Sequence, residues 1–151
     1  MSTALIIGFG SVGRRHASIL KDLKKFKEIV IFTKQNINEY KTINSLKEIK
    51  ETNPDYIIIS SITKDHFKYL SFCEKNLKNK KILVEKPLFS RVKKLRIKNN
   101  LVYVGYNLRF HPVIRKIMQE IKSQKIFNLN IQNSSYLPSW RSNQNYSRSN
   151  S

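Results

Sequence analysis

The chain has 151 residues, 40% of them hydrophobic, with 29 Lys and Arg against 10 Asp and Glu and a formal net charge of +19. That length supports one full core and a fragment of a second domain, while the lone cysteine, Cys73, excludes an intrachain disulfide and no Cys/His cluster has zinc spacing, so no metal site is expected. The opening apolar stretch has no basic region before it and is cut by Gly8, and no other apolar run reaches membrane length, so neither a signal peptide nor a span is expected and the protein is read as cytoplasmic.

Elements and breakers alternate from the first residues. Residues 3–8 read as a buried strand ending in Gly8-Phe-Gly10-Ser-Val-Gly13, and residues 12–25 read as a helix with Val12, Ile19, Leu20 and Leu23 inward. A strand, G-x-G-x-x-G and a helix in succession form the βα turn of a dinucleotide-binding unit. Gly8 would permit the tight turn, Gly10 would let backbone approach a pyrophosphate, and Gly13 would let helix and strand pack closely. Ser11 and Val12 open the helix, whose N–H groups and dipole favour an anion. Three of the four glycines in the chain fall in this turn.

A second strand, Ile29–Phe32, runs into Thr33-Lys34, about 20 residues beyond Gly13, where an acid would bind the ribose hydroxyls of NAD. No acid is there, and Lys34 suits the 2′-phosphate of NADP, so NADP is favoured slightly over NAD. Ser45 caps a short helix through Thr52, and Pro54-Asp55 opens a β-branched strand, Tyr56–Ser60. Asp65–Leu77 reads as helix with Phe67, Leu70 and Phe72 apolar and Cys73 a small buried hydrophobe. Lys81–Glu85 is a fourth strand, residues 90–98 a short helix, Leu101–Val104 a fifth strand, and His111–Lys122 a helix whose stripe Val113, Ile114, Ile117, Met118 and Ile121 is read as core. This alternation predicts an α/β fold, a doubly wound parallel Rossmann sheet.

From about Ile126 the pattern becomes alternating apolar and polar, as in the first strand of an incomplete α+β second domain. The expected organisation is a dinucleotide-binding domain over 1–123, the start of a substrate and oligomerisation domain over 124–141, and a polar tail over 142–151. The apolar side of that strand, Phe127, Leu129 and Ile131, would lack a partner and favour association, which admits a homo-oligomer. The net charge raises nucleic acid or an anionic membrane as partners. The densest basic runs, 78–81 and 91–98, lack the interleaved aromatics of a single-strand stacking platform, so they are read as solvated helix faces and neither partner is expected.

The strand-end residues carry a family resemblance. Gly8-x-Gly10-x-x-Gly13-x-x-His16, Thr63-x-x-His66, Glu85-Lys86-Pro87 and Gly105-Tyr-Asn107-x-Arg109-Phe-x-Pro112 occur in order, and together they resemble the Gfo/Idh/MocA oxidoreductases from Thr3 to about Arg141. The resemblance implies that Gly8, Gly10 and Gly13 hold the cofactor pyrophosphate and that Ser60, Ser61 and His66 line the wall near the riboses. It implies that Glu85 and Lys86 flank the nicotinamide, with Lys86 facing the substrate hydroxyl as the catalytic residue. A cis peptide before Pro87 and substrate contacts from Asn107 and Arg109 are implied in the same way. Tyr136–Arg141 resembles a segment of members acting in surface-sugar biosynthesis, which implies a nucleotide-linked or amino sugar as substrate. Family members continue for about another domain, so the chain is expected to stop inside a domain and to be catalytically incomplete alone. The competing expectation is a non-catalytic nucleotide-binding module that works with a partner chain.

Overall fold

The computed structural model describes residues 2–123, together with positions 128, 130 and 132. Compactness divides the chain into two units, Met1–Tyr106 and Asn107–Ser151. In the first unit the described strands are β1 (Thr3–Ile7), β2 (Glu28–Phe32), β3 (Lys41–Ile43), β4 (Tyr56–Ile59), β5 (Lys81–Val84) and β6 (Leu101–Val104), and the helices are α1 (Ser11–Leu23), α2 (Leu46–Thr52) and α3 (Thr63–Asn76). The strands form one parallel sheet in the order β3-β2-β1-β4-β5-β6. The chain winds outward from β1 in both directions, so the switch point lies between β1 and β4, where a ligand crevice is expected beyond the strands' carboxyl ends.

Alternating side chains of β1 feed two cores, as strand geometry requires. Leu5 and Ile7 join Ile57, Ile59, Ile49 of α2 and Leu70 and Cys73 of α3 on one face. Ala4 and Ile6 join Ile31, Ile58 and the α1 residues Ala17 and Leu20 on the other. The last four residues of β1 are fully buried, which explains why its sequence is continuous rather than alternating. Ser45 caps α2 through a reciprocal capping box, its hydroxyl accepting from the Glu48 N–H while the Glu48 carboxylate accepts from the Ser45 N–H. Burial pushes the Cys73 thiol up to about 12, so it behaves as a small hydrophobe.

Three sequence expectations change in the first unit. The inward residues of α1 are Gly13, Ala17 and Leu20, whereas Val12, Ile19 and Leu23 are exposed. The start of the helix lies so close to the sheet that its contact stripe opens with the small residues Gly13 and Ala17, and Val12, Ile19 and Leu23 are displaced to its flanks. Strand β3 was not expected, because its only buried residue is Ile43 and its partner contact includes an exposed ion pair between Lys41 and Glu28 at 3.4 Å. Residues 90–98 are not helical. Their cations recur at helical spacing without intervening acids, an arrangement that repels on a helix.

The β5–β6 crossover is instead an irregular segment pinned by side chains. Leu88, Phe89 and Leu95 pack on the core, Phe67 meets Phe89 edge-on at 5.2 Å, and the Lys93 ammonium lies 4.3 Å from the Phe67 ring centre. The buried Glu74 carboxylate accepts from the Lys98 and Asn99 N–H groups, both at 2.7 Å, and from the Asn100 side-chain amide at 2.9 Å. It satisfies donors that a crossover helix would have satisfied internally. Burial alone would raise the Glu74 carboxyl, but the bonds from Lys98, Asn100 and Asn99 outweigh it and hold the group below its ordinary value.

In the second unit, a 3₁₀ turn (Asn107–Phe110) leads into α4 (Pro112–Ser123), with the Arg115 guanidinium 5.9 Å from the Phe110 ring centre. The stripe expected as core is exposed at Val113, Ile117 and Met118. Helical periodicity locates an apolar face without saying what covers it. Apart from positions 128, 130 and 132, the strand expected from Ile126 and the tail expected from 142 fall outside the described residues.

Removing the Glu74 carboxylate should leave the Lys98 and Asn99 N–H groups unpaired, and Glu74→Ala is expected to cost about 2–3 kcal/mol at neutral pH. Because the folded-state pKa is depressed, this contribution is complete above the ordinary carboxylate range and is lost as pH falls through the folded value. Urea denaturation should show the gap between parent and variant closing in acid. A gap that stays constant with pH would contradict the assignment.

Candidate cofactor site

Strands β1 and β4 end side by side at the switch point. The Ser60 N–H donates to Ile7 O at 2.9 Å and the Gly8 N–H donates to Phe32 O at 3.1 Å, so the chain leaves all three central strands at one level. Beyond them lies an open cleft of about 650 Å³, whose lining includes Gly8, Phe9, Gly10, Ser11 and Val12 from the first turn. Thr33, Lys34, Ser60 and Ser61 line it as well. Eight of the residues proposed from sequence are thus brought to one crevice.

The three glycines of the turn serve different ends. Gly8 has φ +95°, and a Cβ there would come within 2.6 Å of the Ser61 backbone, so both conformation and space demand glycine. A Cβ on Gly13 would collide with Gly8 O, and the Ser60 hydroxyl donates to that same oxygen at 3.0 Å. Gly10 is different. It caps α1 with φ −77° and ψ −168°, which any residue adopts, and a Cβ there would meet nothing within 4 Å. The fold therefore has no use for glycine at position 10, while a ligand lying on the backbone does. No side chain caps α1 and its first turn carries no acid, so its opening N–H groups and dipole are left to an incoming anion. The site thus fits a dinucleotide pyrophosphate, on the evidence of its own backbone.

Other expected residues are not among those that line the cleft. His66 is buried, with Nε2 2.9 Å from Ser61 O and Nδ1 3.1 Å from Pro87 O and 3.3 Å from Leu88 O. Carbonyls only accept, so a neutral imidazole hydrogen-bonds one of these loops at a time while its ring packs between the β4 loop and the loop after β5. His66 is not among the residues that line the cleft. Glu85 is held at 2.7 Å by His16 Nε2 of α1, and its other oxygen accepts from the Lys86 N–H at 3.2 Å. A Cβ on Gly105 would approach the same carboxylate to 3.2 Å, so β6 also closes on it. Lys86 is exposed, and the Lys86–Pro87 peptide is cis, as the resemblance implied. Asn107 and Arg109 are exposed on the 3₁₀ turn of the second unit.

Several residues at the site escaped the sequence reading. Gln35, Asn44, Leu46, Lys68 and Tyr69 also line the cleft. Asn44 and Leu46 follow the unexpected β3, so no sequence signal pointed to them. Lys68 and Tyr69 lie within one turn of His66 and could have been found from helical spacing. Burial, with Asp65 adding, raises the Tyr69 phenol, which therefore offers a neutral hydroxyl. Among the described residues, no cluster of three or more His, Cys, Asp and Glu could hold a metal, and no helix is long and apolar enough to cross a membrane.

A family model described as an oxidoreductase family with an NAD-binding Rossmann fold matches residues 3–102. No curated protein matches the chain. Among solved structures, the chain is similar to myo-inositol 2-dehydrogenase from Lactobacillus plantarum, with TM-score 0.68, 21% identity, and 81% of this chain and 41% of that one covered. It is similar to the WlbA (WbpB) dehydrogenase from Thermus thermophilus, in complex with NAD and α-ketoglutarate, with TM-score 0.64, 18% identity, and 83% and 48% covered. It is also similar to UDP-N-acetylglucosamine 3-dehydrogenase from Acidithiobacillus ferrooxidans, with TM-score 0.59, 18% identity, and 79% and 43% covered. The chain thus spans less than half the length of each of these structures.

The glycines separate by what they do to folding. Gly8→Ala should cost more than about 2 kcal/mol through its left-handed φ and the Ser61 collision. Gly10→Ser should change stability by less than about 0.5 kcal/mol, since serine is itself a preferred N-cap. Thermal or urea unfolding of the two variants checks the contrast, and equal losses would mean that Gly10 is needed by the fold.

Proposed function

The chain belongs to the Gfo/Idh/MocA family of oxidoreductases, and from that premise we propose that residues 1–123 are the dinucleotide-holding part of a sugar oxidoreductase acting on a nucleotide-linked or amino sugar. Gly10 supports the reading most directly, as the one glycine of the turn that backbone conformation and packing leave unexplained. In this proposal residues 124–141 begin a substrate domain through which the protein forms a homo-oligomer, and 142–151 are a polar tail.

A bound nicotinamide dinucleotide supplies a hydride acceptor. Gly8, Gly10 and the opening amides of α1, at Ser11, Val12 and Gly13, would hold its pyrophosphate. Thr33 and Lys34 would meet the adenosine ribose, with Lys34 favouring NADP by about fivefold, the scale of an exposed ion pair. Ser60 keeps the turn in shape through Gly8 O, and Ser61 forms the facing wall. Lys86 would bring its ammonium to the substrate hydroxyl, stabilising the oxygen as its proton departs and giving that proton a path away. Glu85, fixed between His16 and the Lys86 N–H, sets the backbone from which Lys86 projects. Asn107 and Arg109 are proposed as substrate contacts. Holding a sugar carbon in register can account for about 7–11 kcal/mol of a barrier, and this chain spans under half of the dehydrogenases it resembles. We therefore expect cofactor binding without sustained turnover from the 151-residue chain itself.

Gly10→Val places a branched side chain in the open space at the helix start and should weaken NADPH binding by more than about tenfold in a fluorescence titration, with Lys86→Ala within about twofold of the parent. Undiminished binding by Gly10→Val would refute the site. Steady reduction of NADP by the purified chain with a sugar substrate would refute the expectation of no turnover.

A further inference from the structure

We infer that Arg14 is a second cation for the cofactor's 2′-phosphate and sets the preference for NADP together with Lys34; this rests on the dinucleotide reading above. Arg14 is not a lining residue of the cleft, and the glycine motif ends one position before it. It nevertheless belongs to the adenosine corner by its contacts. Its Nη2 donates to the Gln35 side-chain oxygen at 3.2 Å, and its guanidinium carbon lies 4.5 Å from the centre of the Phe9 ring. Gln35 and Phe9 both line the cleft. Gln35 is itself set by its N–H donating to the Thr33 hydroxyl at 3.1 Å. Phe9 is buried and braced edge-on by Tyr40, with ring centres 5.9 Å apart.

The guanidinium is therefore anchored on a fixed ring and tied to the very turn that carries Lys34. Residues 33–38 contain no acid to neutralise either cation or to accept from a ribose diol. A phosphomonoester is doubly charged near neutral pH and presents three acceptor oxygens. A planar fork and a mobile ammonium approaching from two elements suit such a group, and a ribose hydroxyl requires neither. Gln35 would hold the fork in place before the phosphate arrives, so less side-chain entropy is lost on binding.

The test is a fluorescence titration of the full chain with NADPH and with NADH at fixed ionic strength, for the parent, Arg14→Ala, Arg14→Lys and Arg15→Ala. Arg14 is exposed, so its replacement should leave the fold intact. The parent should favour NADPH, and Arg14→Ala should weaken NADPH about tenfold while changing NADH less than about twofold. Arg14→Lys, which keeps the charge and loses the fork, should fall between. Arg15→Ala removes a neighbouring charge of the same helix and should change neither ligand beyond about twofold, which separates a local contact from the pull of the whole basic surface. A parent that favours NADPH with Arg14→Ala unchanged, or weakened equally toward both ligands, overturns the role of Arg14 and leaves Lys34 standing. A parent that binds NADH as well or better overturns the NADP preference itself, and a parent that binds neither overturns the dinucleotide site along with it.

Discussion

The architecture turns on one carbonyl. Gly8 O lies so near Gly13 that no side chain fits there, and it accepts a hydrogen bond from Ser60 at the end of the neighbouring strand. This contact fixes how closely α1 approaches the sheet and how the exits of β1 and β4 stand to each other. Gly13 and Ala17 on the inner stripe of α1, the left-handed conformation at Gly8 and the open ground over Gly10 all accompany it. A longer side chain at Gly13 would lift the helix and move its free amides away from the crevice. The turn is a requirement of close packing first, and it becomes a binding surface because packing leaves the helix start uncovered.

Polar side chains then hold the loops that the sheet alone would leave loose. Glu74 gathers the donors of the irregular crossover, His66 joins the loops after β4 and β5, and Glu85 joins α1, Lys86 and the neighbourhood of β6. Each is a buried or half-buried group meeting backbone atoms, which stabilises by satisfying donors and acceptors that would otherwise cost about 1–3 kcal/mol each. Such latches fix loop positions more sharply than apolar contact, which is non-directional. In a cofactor domain that sharpness matters at Lys86, whose backbone is set by Glu85 rather than by burial of its own side chain.

The molecule's high positive charge is distributed so that its functional consequence is local. The irregular crossover carries a dense basic run, yet its packing is governed by Leu88, Phe89 and Leu95 and by Lys93 against Phe67. Lys34 beyond β2 and Lys68 on α3 line the cleft, and Arg14 beside it is held by Gln35 and Phe9. General attraction for anions raises the encounter rate.

The sequence by itself determined the alternation of strands and helices, the parallel sheet, the glycine turn and the cap on α2. Each of these is a local property: continuous β-branched runs, helical periodicity, a fixed spacing of glycines, and Ser45 three residues before Glu48. Tertiary structure decided the rest. Strand β3 forms because β2 offers an edge to pair with, which its three residues do not announce. The crossover ends as it does because Glu74, more than 20 residues earlier in the chain, takes the N–H groups of Lys98 and Asn99. Gly10 and Gly13 look alike in a motif, and only the space around them tells a packing glycine from one kept bare for a ligand. Arg14, His16 and His66 likewise acquire their roles from partners distant in sequence, since a side chain's periodicity fixes the face it occupies and not the group it will meet.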